Sequence, residues 1–354
     1  MIDKFINEFK KNNIDGMLIS NPHNVRYLSG YKGDDSYLLM TEKAKYLITD
    51  ARYTEQAAEE CPGFEIIDWK IVGGKLSTAI DHIAKKENIE LLGIEPEAIN
   101  YKQFRDLDNM VSAKLTCTTK IVEQLRTIKT PKEVEYIKRA CEIGDKAFER
   151  ILNDIKVGVT EKELSAKLAY YLKMEGSDAR GYENILVSGK RTSLLHGIPS
   201  DKKVEYGDFV LMDFGAGYNG YLSDMTRTVV LGKANEKQKE IYDIEKRSGE
   251  EAISAIKAKK STKEIYYASL KAMEKTEYIK YHYGSIGHGV GLAVHEEPYI
   301  SPLCEYILEE NNVITIEPGI YIPGWGGVRI EEQVLVTKEG CEILTNSPKQ
   351  LIEI

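Results

Sequence analysis

Phe209-Val-Leu-Met-Asp213-Phe-Gly-Ala-Gly-Tyr-Asn-Gly220-Tyr-Leu-Ser-Asp224-Met-Thr-Arg-Thr-Val-Val230 is the stretch on which the rest of the reading turns. Two apolar, β-branched runs flank a glycine-rich turn, the pattern of a hairpin. Each run carries one aspartate among apolar residues. With a two-residue turn both acids fall on the same face, whichever pair makes the turn. A turn at Tyr218-Asn219 sets them directly opposite, with Cβ atoms about 4.5–5.5 Å apart. A turn at Asn219-Gly220, the stronger type I′ signal, makes them diagonal neighbours at about 7–8 Å. Two carboxylates facing each other in an apolar hairpin repel and call for a shared proton or a cation. The bland alternative is that one of them points to solvent or caps a turn. Gly215, Gly217 and Gly220 also spell the nominal dinucleotide fingerprint, but a strand-like segment follows where that motif must open a helix.

Working outward, other isolated acids appear in apolar runs. Val313-Ile-Thr-Ile-Glu317-Pro-Gly-Ile-Tyr321 ends a strand on Glu317. Gly327-Val-Arg-Ile-Glu331-Glu-Gln-Val-Leu-Val-Thr337 alternates so that Arg329, Glu331 and Gln333 share a face. Glu332 interrupts the apolar face, and the pattern does not choose between Glu331 and Glu332. Of the 6 histidines, two lie in Gly287-His288-Gly-Val-Gly-Leu-Ala-Val-His295-Glu-Glu-Pro298. Glycines on both sides of His288 let backbone and side chain approach a crowded centre. His295-Glu296 begins like a zincin helix, but Tyr299 stands where the second histidine is needed. His196 falls in the loop Leu194-Leu-His-Gly-Ile-Pro199.

The chain of 354 residues suggests two domains. Residues 1 to about 120 read as an α/β unit. Ile2, Phe5, Ile6 and Phe9 share a helical face, Gly16–Ser20 is a buried strand, and 37–40 with 46–49 form a hairpin. Leu91–Glu95 is a further strand, and Asp50–Thr54 begins a helix. The pattern changes near Thr130-Pro131-Lys-Glu133, a capping box with proline at the first helical position. The division taken is 1–122 and 123–354. Further helices start at Thr160, Asn235 and Ser261, and alternating strands cover 208–215, 221–231, 313–317 and 328–337. The second part is therefore α+β with antiparallel hairpins. A net charge of −8 argues against nucleic acid as the main partner. Five scattered cysteines without C-x-x-C spacing read as buried small hydrophobes in a reducing compartment. With no signal-like start and no membrane-length apolar run, a cytoplasmic location is expected.

Taken together, Asp-Phe-Gly-Ala at 213, Ser-Asp-Met-Thr-Arg-Thr around 224, Gly-His-Gly-Val-Gly-Leu at 287, Glu-Pro-Gly-Ile-Tyr at 317 and Val-Arg-Ile-Glu at 328 resemble the pita-bread metallopeptidases. That family includes X-Pro aminopeptidases, prolidases and methionine aminopeptidases. The resemblance covers nearly the whole chain, since residues 1 to about 120 resemble the family's creatinase-type N-terminal domain. It implies an α+β pita-bread domain holding two divalent ions, with Asp213 on one, His288 and Glu317 on the other, and Asp224 and Glu331 shared. It also decides for Glu331 over Glu332. Oxygen-rich ligation with one imidazole suits Mn²⁺, with Co²⁺, Zn²⁺ or Fe²⁺ as alternatives.

By the same resemblance Glu317 acts as general base and then acid. His295 steadies the tetrahedral intermediate, His196 contacts the substrate near the scissile bond, and Arg329 organises Glu331 and its neighbouring acids. The N-terminal domain favours a proline-directed enzyme acting on peptides, and a homodimer is expected. Many prolidases carry Arg after the His-Glu-x-Pro segment, where this chain has Tyr299. That difference favours an X-Pro aminopeptidase, with an X-Pro dipeptidase as the alternative. Leu195 also replaces a proline common before the loop histidine. A non-catalytic binding protein on the same fold is the rival of another class, though such relatives usually lose ligands that are intact here.

Overall fold

The computed structural model describes residues 2–179 and 183–354. Two compact units divide the chain after Arg126. In the first, strands β1 (Gly16–Ile19), β2 (Tyr37–Thr41), β3 (Lys45–Thr49), β4 (Glu65–Asp68), β5 (Leu91–Ile94) and β6 (Lys114–Cys117) form one sheet in the order β4-β3-β2-β1-β5-β6. Only β2 runs against the rest. Helices α1 (Ile2–Asn12), α2 (Pro22–Ser29), α3 (Thr54–Glu60), α4 (Leu76–Lys86) and α5 (Tyr101–Met110) surround the sheet, and α6 (Ile121–Thr127) closes the unit. Phe5 and Phe9 of α1 are buried and pack edge to face, as their shared helical face requires. Helix α3 starts at Thr54, later than expected, because Asp50 spends its carboxylate on the backbone N–H and guanidinium of Arg52 in the preceding turn.

The second unit opens with α7 (Pro131–Ile151) and α8 (Glu161–Met174), each started by the expected capping box, at Thr130 with Glu133 and at Thr160 with Glu163. Strand β7 (Ile185–Ser188) pairs with β8 (Phe209–Phe214), and a short ladder of β9 (Gly217–Tyr218) with β10 (Tyr221–Leu222) leads into β11 (Met225–Val230). Helices α9 (Glu236–Ser254) and α10 (Thr262–Leu270) follow. The C-terminal strands are β12 (Val313–Ile316), β13 (Gly319–Ile322), β14 (Gly326–Arg329), β15 (Glu332–Val336) and β16 (Cys341–Ile343).

The alternating run expected over 328–337 is two strands, broken at Ile330-Glu331. The break lets β14 pair with β13 while β15 pairs with β12 and β16. All five cysteines are free; Cys61 and Cys141 are buried as expected, whereas Cys117 is exposed at the end of edge strand β6. Among the described residues no helix is long and apolar enough to cross a membrane.

Candidate metal centre

The hairpin register answers the first question the sequence poses. Tyr218 pairs with Tyr221, which puts Asn219 and Gly220 at the tip with φ of 50° and 79°. Both central residues have the positive φ of a type I′ turn, the geometry that suits asparagine and glycine. The same register continues through Ser223 to Ala216 and reaches Met225 opposite Phe214 and Thr226 opposite Asp213. Asp224 therefore sits diagonal to Asp213 on one face.

A second pair of strands brings two glutamates together. Ile316 pairs with Glu332 and Gly319 with Arg329, one register in which Glu317 stands across from Glu331. Both glutamates lie where the backbone passes from one ladder to the next. The Glu331 N–H donates to the carbonyl of Thr226 at 3.0 Å, which ties this corner to the aspartate hairpin. Thr226 also donates its hydroxyl to Glu331 Oε2 at 2.8 Å.

His288 arrives from a segment that runs alongside β12: the Thr315 N–H donates to the His288 carbonyl, and the His288 N–H donates to Thr315 Oγ1. Its flanking glycines are sterically required. A Cβ on Gly287 would collide with the Thr315 carbonyl oxygen, and one on Gly289 with that of Glu297. His288 Nε2 lies 3.2 Å from Glu317 Oε1 and 3.7 Å from Asp224 Oδ2.

Glu331 and Glu332 part company completely. Glu332 forms a buried ion pair with Arg227 at 2.6 Å and accepts from Thr345. Glu331 Oε1 is buried and meets no hydrogen-bond partner. Donor atoms of Asp224, His288 and Glu331 all lie within 4.8 Å of one another. That set could hold a cation, with Asp213 and Glu317 alongside.

The electrostatics point the same way. Burial, together with the charges of Asp224, Glu317 and Asp213, pushes the Glu331 carboxyl well up. Burial also raises Asp213, against the pull of Arg329. Burial works against a charge on His288, yet Glu317 and Asp224 lift its pKa to about 9. A cluster that draws a proton onto a buried imidazole is short of positive charge, and hard divalent ions favour such oxygen-rich sites.

Arg329 supplies part of that charge. It pairs with Asp213, donates to Thr226 Oγ1 at 3.0 Å and to Tyr321 Oη at 2.8 Å, and comes within 4.0 Å of Glu317. Of the acids it is expected to organise, Arg329 pairs directly with Asp213 and meets Glu331 through the shared Thr226 hydroxyl and through its charge. Thr226 and Tyr321 were not anticipated. The register opposite Asp213 marks Thr226, and Tyr321 closes the Glu-Pro-Gly-Ile-Tyr motif that begins at Glu317.

These residues open onto a cavity of about 710 Å³ lined by Asp213, Asp224, His288, Glu317 and Arg329, with His196, His295 and Tyr299. The His295 ring packs edge to face on His288 with centroids 4.3 Å apart. Burial, then the His288 charge, lowers the pKa of His295, and His196 contributes in the same sense. Behind His295, Glu296 accepts from the Ala293 N–H and pairs with Lys129 at 3.4 Å, both side chains buried. No helix forms around His295, in keeping with the rejected zincin motif.

Fold and site together define a metal-dependent peptidase with a pita-bread catalytic unit. The chain belongs to metallopeptidase family M24, whose model matches residues 135–338, while the creatinase/prolidase N-terminal domain model matches residues 1–128. It is 38% identical to an Xaa-Pro dipeptidase of Pyrococcus furiosus over 99% of both chains. A solved Xaa-Pro dipeptidase from Bacillus anthracis is 38% identical, covers 100% of this chain and 99% of its own, and superposes with a TM-score of 0.96. An X-Pro aminopeptidase from Thermotoga maritima, 36% identical, covers 98% of this chain and 100% of its own at a TM-score of 0.90.

Proposed function

We propose that the protein is an X-Pro dipeptidase, hydrolysing the bond before proline in short peptides with two divalent ions. The observation that carries this reading is end-to-end similarity, across both units, to proteins named Xaa-Pro dipeptidase. The X-Pro aminopeptidase reading drawn from the sequence becomes the second one. It keeps one specific support: Tyr299 lines the cavity, and Arg329, the one arginine among the described lining residues, is already committed to Asp213 and Tyr321.

In this proposal Asp213 serves one ion, His288 and Glu317 the other, and Asp224 and Glu331 are shared. The unpartnered Glu331 oxygen and the surplus of buried carboxylates support that assignment. Mn²⁺ is the ion favoured by the donor set, with Co²⁺, Zn²⁺ and Fe²⁺ as alternatives. When bound, such ions polarise a carbonyl oxygen and make hydroxide available near neutral pH. Glu317 is suited to take a proton and return it to the leaving nitrogen. Burial works against its charge, but His288 and Arg329 hold its carboxylate below the usual range. His295 and His196 line the same cavity, which supports their proposed roles as donors to the substrate oxygen. Arg329 acts as a positioning residue through Asp213 and Thr226. A homodimer, on family resemblance, and a cytoplasmic location, on the sequence pattern, remain part of the proposal.

Purified protein in Mn²⁺ is offered Ala-Pro, Ala-Pro-Ala and a longer Ala-Pro-headed peptide, and release of alanine is measured. The dipeptidase reading expects kcat/KM for Ala-Pro at least ~10-fold above the longer substrates. Preference for the longer peptides establishes the aminopeptidase instead, and no release from any of them supports a binding protein.

A further inference from the structure

The first unit contains a cavity of about 250 Å³ that the peptidase chemistry does not use. It opens at the carboxyl edge of the sheet. Ser20 follows β1, Trp69 follows β4, Ile99 follows β5, and Tyr37 begins the reversed strand β2. In open α/β sheets small ligands bind at this edge where the strand order reverses, which here is between β1 and β5.

Its lining has three chemistries. Leu18, Tyr37, Trp69, Leu76, Ile99 and Leu107 make an apolar and aromatic wall. Lys75, Leu76 and Ser77 bring the N-terminus of α4, an 11-residue helix. Lys75 is its N-cap, and no side chain caps the first-turn amides, which leaves N–H groups and a positive dipole end for an anion. The turn before it, Gly73-Gly74, has φ of 92° and 76°, and a Cβ on Gly74 would meet open space. Ser20 is 8% exposed and carries a buried hydroxyl with no hydrogen-bond partner, in the wall of this cavity. Asp106 supplies a negative charge on the side formed by α5. Neither Lys75 nor Asp106 takes part in an ion pair among the described residues.

We propose that this cavity binds a free apolar or aromatic α-amino acid. The α4 N-terminus, Lys75 and Ser20 receive the carboxylate, Asp106 the ammonium group, and Trp69 with its apolar neighbours the side chain. The volume lies below the roughly 300–1,000 Å³ of drug-sized sites and suits one residue rather than a peptide. Such a ligand belongs to the class of compound an exopeptidase releases, but the site does not depend on which exopeptidase this is.

The test uses the full chain with Trp325→Phe, which leaves Trp69 as the only one of the 2 tryptophans. L-Phenylalanine, L-phenylalaninamide and 3-phenylpropionate are titrated in turn while Trp69 emission is followed. The expected result is a saturable change with L-phenylalanine at a Kd of about 1 mM or tighter, and at least ~10-fold weaker binding of the two analogues. Lys75→Glu, at an exposed position, is expected to weaken L-phenylalanine by ~10-fold or more. Calorimetry on the chain with both tryptophans provides the same comparison without relying on Trp325→Phe. The proposal is overturned by no saturation up to about 10 mM, by equal binding of all three compounds, or by affinity that Lys75→Glu leaves unchanged.

Discussion

Glu331 and Glu332 are chain neighbours, both buried, and their neutralisation should have opposite consequences. In Glu332→Gln the Arg227 guanidinium loses the carboxylate it pairs with at 2.6 Å. Breaking a buried pair from one side costs about 3–5 kcal/mol. Arg227 keeps three carbonyl acceptors, those of Thr226, Glu331 and Ser347. The cost should therefore fall at the low end, about 3 kcal/mol, or a drop in Tm of ~6–12 °C for a unit of this size. In Glu331→Gln the removed charge is one that burial and three neighbouring acids oppose, and no hydrogen bond to Oε1 is lost. Without metal that variant should be at least as stable as the parent, while its affinity for Mn²⁺ collapses. Urea unfolding of the metal-free proteins, paired with calorimetric titration of Mn²⁺, reads both effects. The reasoning fails if Glu332→Gln unfolds like the parent but loses metal, or if Glu331→Gln is destabilised by several kcal/mol and keeps it.

Four further outcomes are expected. Chelation should abolish hydrolysis and Mn²⁺ restore it, as followed by alanine release from Ala-Pro, and Asp224→Asn should lose both activity and metal. Gly287→Ala drives a methyl against the Thr315 carbonyl; it should cost about 1–3 kcal/mol of stability and displace His288 enough to lower kcat, measurable by steady-state kinetics beside urea unfolding. Lys129→Met takes the cation from the buried Glu296 carboxylate beside His295 and leaves it the Ala293 N–H; a loss of about 3 kcal/mol with a raised KM would register in the same two assays. Burial lowers the pKa of His282 to about 4. The unfolded chain then binds the extra proton between that value and about 6.5, so stability should rise with pH across this window by at most about 3 kcal/mol. Urea midpoints at pH 4.5 and 7 compare the parent with His282→Leu, in which that part of the slope should vanish.

Much of the centre was legible because strand periodicity is strict. Asp213 and Asp224 had to share a face, and the Asn219-Gly220 tip, already the stronger turn signal, is the one the fold adopts. Glu331 was a different matter. The run 328–337 alternates as one strand, and the break at Ile330-Glu331 follows from a change of pairing partner that no local pattern encodes. Resemblance chose Glu331, and the physical reason for leaving Glu332 out is Arg227, 105 positions away. For Arg329 the resemblance implies support of Glu331 and its neighbouring acids; its direct partner among them is Asp213, a choice that depends on how two separate hairpins meet. Tyr299 enters the sequence reading only as a departure from the arginine of many prolidases; it lines the cavity, and similarity along the whole chain backs the dipeptidase better than the reading drawn from that one position.

The asparagine–glycine tip also sets how this centre can be rebuilt. Every residue of the ladder behind it is counted, because a deletion of one between Asp213 and Asp224 would turn one aspartate to the opposite face. The tip lies beyond the last rung at Tyr218 and Tyr221. Length can be added there without disturbing the count on either side. A tag or a recognition peptide spliced between Asn219 and Gly220 would leave the two aspartates in step, whereas an odd number of residues added within the ladder would put them out of step.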